Sequence, residues 1–295
     1  MTMNLKRSKA EAVFGFFNIC FLLFLALITL YPFLYVTMAS LSNPSSLASH
    51  SGLLLWPLGF NVDGYISVFK NPNIITGYTN TLIYVVVGTS INVIITSIGA
   101  YVLSRKGVML RDSIMMMIVF TMFFSGGLIP NYLLVKSLGM FDTMWALILP
   151  GAISTYNLII MRTSFAAIPD SLEESARIDG ANDLTILFRI VMPLSQAVIA
   201  VMILFYAVAH WNSWFSAMIY LRDRDAYPLQ LFLREILINS STDSMITGSG
   251  GTDKEAVSEI IKYCTIIIAT LPIIAVYPFL QKYFTKGVLV GAVKG

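Results

Sequence analysis

Charge is the first thing this sequence is short of. Of its 295 residues, 19 are Lys or Arg and 16 are Asp or Glu, which makes 12% charged. A soluble domain carries about 25%. A chain that is 57% hydrophobic cannot cover a water-facing surface with half that amount. The net charge of +3 is too small to mark a nucleic-acid binder. Cysteine is nearly absent. Cys20 and Cys264 both fall in apolar runs and no CxxC occurs, so no disulfide framework is supported. His50 and His210 have no partners at metal-ligand spacing, so no zinc site is supported either. The chain has no G-x-x-x-x-G-K-[ST] and cannot cradle ATP phosphates by that route. There is no internal repeat and no low-complexity tract. What is left is an integral membrane protein without a nucleotide motor of its own.

What is present is a succession of apolar runs, each near the roughly 20 residues that cross a hydrocarbon core. They predict an all-α polytopic fold of six transmembrane helices, at about 12–38, 78–103, 113–135, 144–161, 194–220 and 263–284, in one domain over 1–295. The first is too long for a signal-peptide core and lacks a small-x-small cleavage site. Ser40 to Phe60 reads as a loop, with Leu53 to Trp56 as a short interfacial segment. Gly126-Gly127 and Pro130 break the third span near its outer end, and Pro150-Gly151 interrupts the fourth. The run Met115 to Met117 suits either helices that slide on one another or plain lipid-facing filler. Lys6, Arg7, Lys9, Arg105, Lys106, Arg111, Arg162, Arg177, Arg189, Lys282, Lys286 and Lys294 fall on one side of these spans, twelve cations in all. Seven fall on the other, five of them in the long 221–262 segment, where acids dilute them. The positive-inside rule then predicts both termini in the cytoplasm. No Asp, Glu, Lys or Arg sits in the middle of a span, where an ion-driven carrier usually holds its coupling ion.

The longest polar, helix-capable stretch is 169–193. Ser171 and Glu174 have the S-x-x-E spacing of a capping box. Gly180 can take positive φ and end that helix, Asn182 or Asp183 can cap a second, and Pro193 ends or kinks it. The expected product is a cytoplasmic helical hairpin. Its sequence Glu174-Ser175-Ala176-x-x-Asp179-Gly180-Ala181, followed by Pro193-Leu194, resembles the coupling motif of ABC-importer permeases. Ser175 departs from the usual alanine, and Ala197 stands where many sugar permeases have a second proline. The resemblance implies that Glu173, Glu174, Ala176, Asp179, Gly180, Ala181 and Pro193 couple to a separate ATPase subunit.

The tail over 285–295 resembles that of carbohydrate-type permeases at Gly287, Gly291, Lys294 and Gly295, while Val288 to Val290 differ from the commoner pattern. A basic tail drawn to anionic lipid is the alternative. Phe124-Ser125-Gly126-Gly127-Leu128-Ile129-Pro130, His210-Trp211-Asn212-Ser213-Trp214-Phe215 and Leu221-Arg222-Asp223-Arg224-Asp225-x-Tyr227-Pro228-Leu229-Gln230 are similar to permeases that serve oligosaccharides and polysaccharide fragments in Gram-positive bacteria. Family membership implies a second related permease, two ABC ATPase subunits that bind the ATP and magnesium, an external sugar-binding lipoprotein, and no catalytic residue, cofactor or metal in this chain.

Sugars are held by aromatic faces and by amide or hydroxyl hydrogen bonds. His210, Trp211, Asn212, Trp214 and Tyr220 offer both in the fifth span and are the candidate substrate path. Trp211 and Trp214, three apart, fall on one face of a continuous helix. An interfacial aromatic belt is the competing reading for the tryptophans and Tyr220, and helix packing for His210. Leu229, Phe232, Leu233 and Ile236 have helical spacing and suit either a surface helix that meets the binding protein or a lid on the membrane. Two other functions compete. One is an ion-coupled secondary carrier. The other is an intramembrane hydrolase built from Ser125 and a histidine, which lacks catalytic spacing and an orienting acid.

Overall fold

The structure is a computed structural model that describes residues 9–239 and 251–292. Among the described residues every regular element is helical. In chain order these are α1 (Lys9–Ser40), α2 (Pro44–Ala48), α3 (Asp63–Lys70), α4 (Pro72–Ser104), α5 (Arg111–Phe120), α6 (Leu128–Ser137), α7 (Trp145–Ile148) and α8 (Thr155–Ala166). Then come α9 (Asp170–Ile178), α10 (Asp183–Ile186), a π-helical turn (Leu187–Val191) and α11 (Met192–Leu194). The chain continues with α12 (Gln196–Trp211), α13 (Phe215–Tyr220), a 3₁₀ turn (Arg224–Ala226), α14 (Leu229–Asn239) and α15 (Gly251–Ala292).

Three of these helices are long and apolar enough to cross a membrane: α1, α4 and the Ala256–Val276 part of α15. A fourth results if Asp183–Leu194 and Gln196–Trp211, bent by 91°, count as one. The stretches expected at 113–135 and 144–161 are each two short helices around a break, where Gly127 (φ +85) and the Pro150-Gly151 pair interrupt the ladder. The helix expected to end near residue 284 runs on to Ala292, so Gly287 and Gly291 are helical. Lys294 and Gly295 lie outside the described residues.

The chain divides into two compact units. One takes in the described residues of Met1–Asn71 and Ser240–Ile268. Here α1 is apolar on all sides, as a lipid-facing helix is. The expected loop after it holds α2, capped by Asn43 Oδ1 on the Ser45 amide at 3.1 Å. Of the segment 53–56, Leu54 is buried and its amide reaches Tyr31 Oη at 3.3 Å, while Leu53, Leu55 and Trp56 are exposed. Tyr65 Oη meets Ser40 Oγ at 2.7 Å, and Gly64 gives room to the Cys264 side chain.

The second unit takes in the described residues of Pro72–Asn239 and Ala269–Gly295 and is built on α4. Along one half of α4, Val93, Ala100 and Leu103 share a core with Leu158, Met161 and Phe165 of α8, Ile186, Leu187 and Val191 of the hairpin, and Met202 and Tyr206 of α12. Nearer its start, Gly77 lets α14 approach: a Cβ there would lie 2.8 Å from Phe232 and 3.0 Å from the Leu229 backbone. Thr81 Oγ1 accepts the Leu229 amide at 2.9 Å, and Leu229, Phe232 and Ile236 are buried. The apolar face of α14 is thus spent on its own chain, not left open on a surface.

Candidate functional site

The polar stretch at 169–193 forms two short helices joined by a tight turn. The turn is a Schellman motif. Gly180 N donates to Arg177 O at 3.0 Å, Ala181 N donates to Ala176 O at 2.9 Å, and Gly180 takes φ +81. Asn182 caps the second helix, its Oδ1 accepting the Thr185 amide at 2.8 Å. Asp183 is used differently: it pairs with Arg177 across the turn. Before Pro193 the helix widens into the π turn at 187–191. A proline ring collides with the carbonyl four residues back, and a π bulge one turn earlier relieves it. The chain then bends sharply at Ser195.

The capping box does not form. Pro169 is extended (ψ 132) and serves as N-cap without a side-chain hydrogen bond, so α9 starts at Asp170 and Ser171 lies inside the first turn. Asp170 and Glu173 supply the negative charge that favours a helix start. The two adjacent glutamates have opposite surroundings. Glu174 is exposed, whereas Glu173 is buried with Ala176 on the inner face. Glu173 pairs with Arg105, whose side chain is 15% exposed, and accepts from Tyr101 Oη at 3.4 Å. Arg105 also donates to Phe165 O at 3.3 Å and lies 4.8 Å from the Tyr101 ring centroid. Arg162 Nε caps Leu103 O at 2.9 Å, and Lys106 reaches Asp170 at 3.2 Å. The end of α4 is therefore tied to α8 and to the root of the hairpin. The far side is bare: Ile178 is 86% exposed, and Leu184 and Phe188 are exposed too. Arg105 and Tyr101 are functional candidates that sequence reasoning missed. Their signal was the i, i+4 spacing of a tyrosine and a cation at the polar end of a span.

Of the residues expected on the substrate path, the structure brings few together. Helix α12 ends at Trp211 and Asn212 is its C-cap, so Trp211 and Trp214 do not share a helical face. Trp211 is buried, donates Nε1–H to Ala269 O at 3.1 Å and packs edge-on against Tyr78. Trp214 carries the Arg234 guanidinium 4.6 Å from its ring centroid. Asn212 is exposed and turns back to Val208 O at 3.0 Å. Tyr220 is buried and stacked on Tyr132 at 6.3 Å.

His210 is a packing residue with a specific partner. Its Nε2 meets Asn92 Oδ1 at 2.7 Å, and a Cβ on Gly88 would lie 2.5 Å from that nitrogen. Asn92 Nδ2 donates to Gly151 O at 3.1 Å and Ala152 O at 2.7 Å. One turn on, Tyr206 Oη meets Thr96 Oγ1 at 2.8 Å and accepts the Ser154 amide at 3.1 Å. These side chains satisfy the backbone that the α7–α8 break leaves open, as apolar surroundings require.

Comparison with known proteins agrees with this architecture. Residues 97–290 match the family model described as binding-protein-dependent transport system inner membrane component. The chain is 46% identical over 278 residues to the polygalacturonan/rhamnogalacturonan transport system permease protein YtcP of Bacillus subtilis (strain 168), covering 93% of this chain and 96% of that one. It is 44% identical over 294 residues to Protein LplC of the same organism, covering 99% and 98%. Among solved structures, a bacterial ABC transporter involved in the import of the acidic polysaccharide alginate has a chain that superposes with a TM-score of 0.86 at 32% identity, covering 95% of this chain and 100% of that one. On sequence and on fold alike, this chain belongs to the family of binding-protein-dependent transport system inner membrane components.

Proposed function

We propose that the chain is the permease subunit of an ATP-driven importer for oligosaccharides or polysaccharide fragments, with acidic, uronate-containing chains as the first class to test. The observation that carries this reading is the hairpin: braced at its root by the Arg105–Glu173 pair and bare at its tip. A docking knob has that form, because its apolar exposure needs a partner and its root must transmit force. Six spans thread the membrane, with the third and fourth broken, and both termini and the hairpin lie in the cytoplasm. Two ATPase subunits bind ATP and magnesium, a second permease completes the pore, and an external lipoprotein delivers the sugar. ATPase closure moves the hairpin, Arg105 passes that movement to α4, and the path opens alternately to either side. The names of the relatives support the substrate class.

The test is reconstitution of the full importer in proteoliposomes. Oligogalacturonides with the binding protein are expected to stimulate ATP hydrolysis and to be taken up only with ATP inside. Uptake abolished by ionophores and indifferent to ATP would assign the chain to ion-coupled carriers instead.

A further inference from the structure

Helix α14 packs at the opposite end of α4 from the hairpin. Thr81, which accepts the Leu229 amide, and Tyr101, which bonds Glu173, lie twenty residues apart on one unbroken helix. At about 1.5 Å per residue the two are about 30 Å apart, the thickness of a hydrocarbon core. On the importer reading, α14 is therefore on the side where the sugar arrives.

Three arginines at this end each lie on an aromatic ring. Arg222 is 5.1 Å from the Phe141 centroid, Arg224 is 5.8 Å from Tyr227 and 5.6 Å from Phe232, and Arg234 of α14 is 4.6 Å from Trp214. Their charges are met differently. Arg224 pairs with Glu235 at 2.7 Å, and Arg222 has Asp142 as a neighbouring charge. Arg234 pairs with no carboxylate among the described residues. Its hydrogen bond there runs from Nη1 to Met218 Sδ at 3.3 Å, and a thioether is a weak acceptor.

The guanidinium is nonetheless held in place. Trp214 packs on the core around Tyr84, Ala217 and Tyr220, and Leu229, Phe232 and Ile236 anchor α14 by burial. A cation that needs only water gains nothing from a fixed seat, and it gives up rotamer freedom to take one. What the seat does provide is a planar fork with its hydrogen-bonding capacity almost unspent. That fork takes a carboxylate through two parallel N–H···O bonds. Beside it, Phe215 lies edge-on to Trp214 at 5.5 Å, and both Phe215 and Met218 are exposed. A uronate sugar has the matching pair of features, a carboxylate on one edge and an apolar C–H face.

We propose that Arg234, seated on Trp214, receives a carboxylate of the acidic sugar chain at the mouth of the importer and selects for that charge. The assignment rests on the importer reading above. The test is direct titration of the full importer in nanodiscs, without binding protein, once nucleotide-free and once trapped with ATP and vanadate. In the state that binds more tightly, Arg234→Gln should raise the Kd for oligogalacturonide about tenfold. Arg234→Lys keeps the charge without the fork and should fall between. Methyl-esterified oligogalacturonide carries no charge. It should bind the unmodified importer about tenfold more weakly, and Arg234→Gln should change its Kd by less than about twofold. Equal weakening of acid and ester by Arg234→Gln would mean that Arg234 only props Trp214. An effect seen in phosphatidylglycerol nanodiscs but not in phosphatidylcholine would assign the guanidinium to lipid headgroups. Either result overturns the site, as does an unchanged Kd, or no binding by an importer that transports the sugar, and each leaves the functional reading standing. Failure of the unmodified importer to hydrolyse ATP in response to sugar and binding protein overturns both.

Discussion

The Arg105–Glu173 pair offers the sharpest test of how the hairpin is held. Replacing Glu173 by Gln keeps the shape and removes the charge. Arg105 would then be left at 15% exposure with Phe165 O, the Tyr101 ring and no carboxylate. Its Nε already has no acceptor, so little slack exists to absorb the loss. Removing one member of a fully buried pair costs about 3–5 kcal/mol, and partial solvent access here brings that to about 2–3 kcal/mol. At 1.4 kcal/mol per tenfold, local opening of α9 should become roughly 30- to 150-fold more frequent. Hydrogen exchange of the permease in nanodiscs, without ATPase, reads this directly on the amides of Ala176 and Arg177. Glu174→Gln is the control. Glu174 is exposed, so its substitution should leave exchange unchanged and weaken only co-purification of the ATPase. Exchange within twofold of the parent for Glu173→Gln would refute the idea that this pair fastens the hairpin to α4.

Three further outcomes are expected. At Gly180 a new Cβ meets nothing within 4 Å, so the cost of substitution is set by φ +81 alone. Asn should be tolerated best, Ala should cost about 1 kcal/mol and Val more, measured as hairpin exchange and as sugar-stimulated ATP hydrolysis. A ranking by side-chain volume instead would mean that the turn is pressed against a partner. Asn92→Leu would strand Gly151 O, Ala152 O and His210 together, and should lower stability by about 2–4 kcal/mol in thermal unfolding of the detergent-solubilised chain; a change under 0.5 kcal/mol would show that water replaces the amide. Asp142 Oδ1 accepts the amides of Arg222 at 2.7 Å and Asp223 at 3.1 Å, and these bonds hold its carboxyl below the ordinary 3.8. The folded state binds the proton more weakly than the unfolded one. The tie is therefore fully present above pH 3.8 and is lost as pH falls through the lowered value. Exchange at Arg222 and Asp223 should rise on acidification, and Asp142→Asn should abolish that dependence.

What was legible in the sequence is what depends on a few neighbouring residues. Gly180 and Asn182 announce a helix end and a helix start because positive φ and amide capping are local requirements. The Ser171–Glu174 spacing misled for an equally local reason. Pro169 already occupies the cap, which moves both residues inward and sends Glu173 rather than Glu174 to the buried side. Trp211 and Trp214 misled because three-residue spacing implies a shared face only where the helix continues, and here it stops between them. The pairing of Asn92 with His210 joins residues 118 apart in the chain, and no local pattern encodes it. A trace of it was there to find: Gly88, Asn92 and Thr96 recur every four residues in an otherwise apolar run.

That recurrence has a consequence for how the gene can change. On α4, Gly77, Thr81, Tyr84, Gly88, Asn92 and Thr96 occupy about a third of the circumference, and each meets a fixed partner at its own height. Inserting or deleting one residue anywhere among them would turn one end against the other by about 100°. Every partner beyond the change would then face the wrong side chain. Point substitutions in α4 cost a contact each, whereas a shift of phase costs them all. Length variation among related chains is therefore expected in the connections on either side of this helix, and its span from Gly77 to Thr96 should stay constant to the residue.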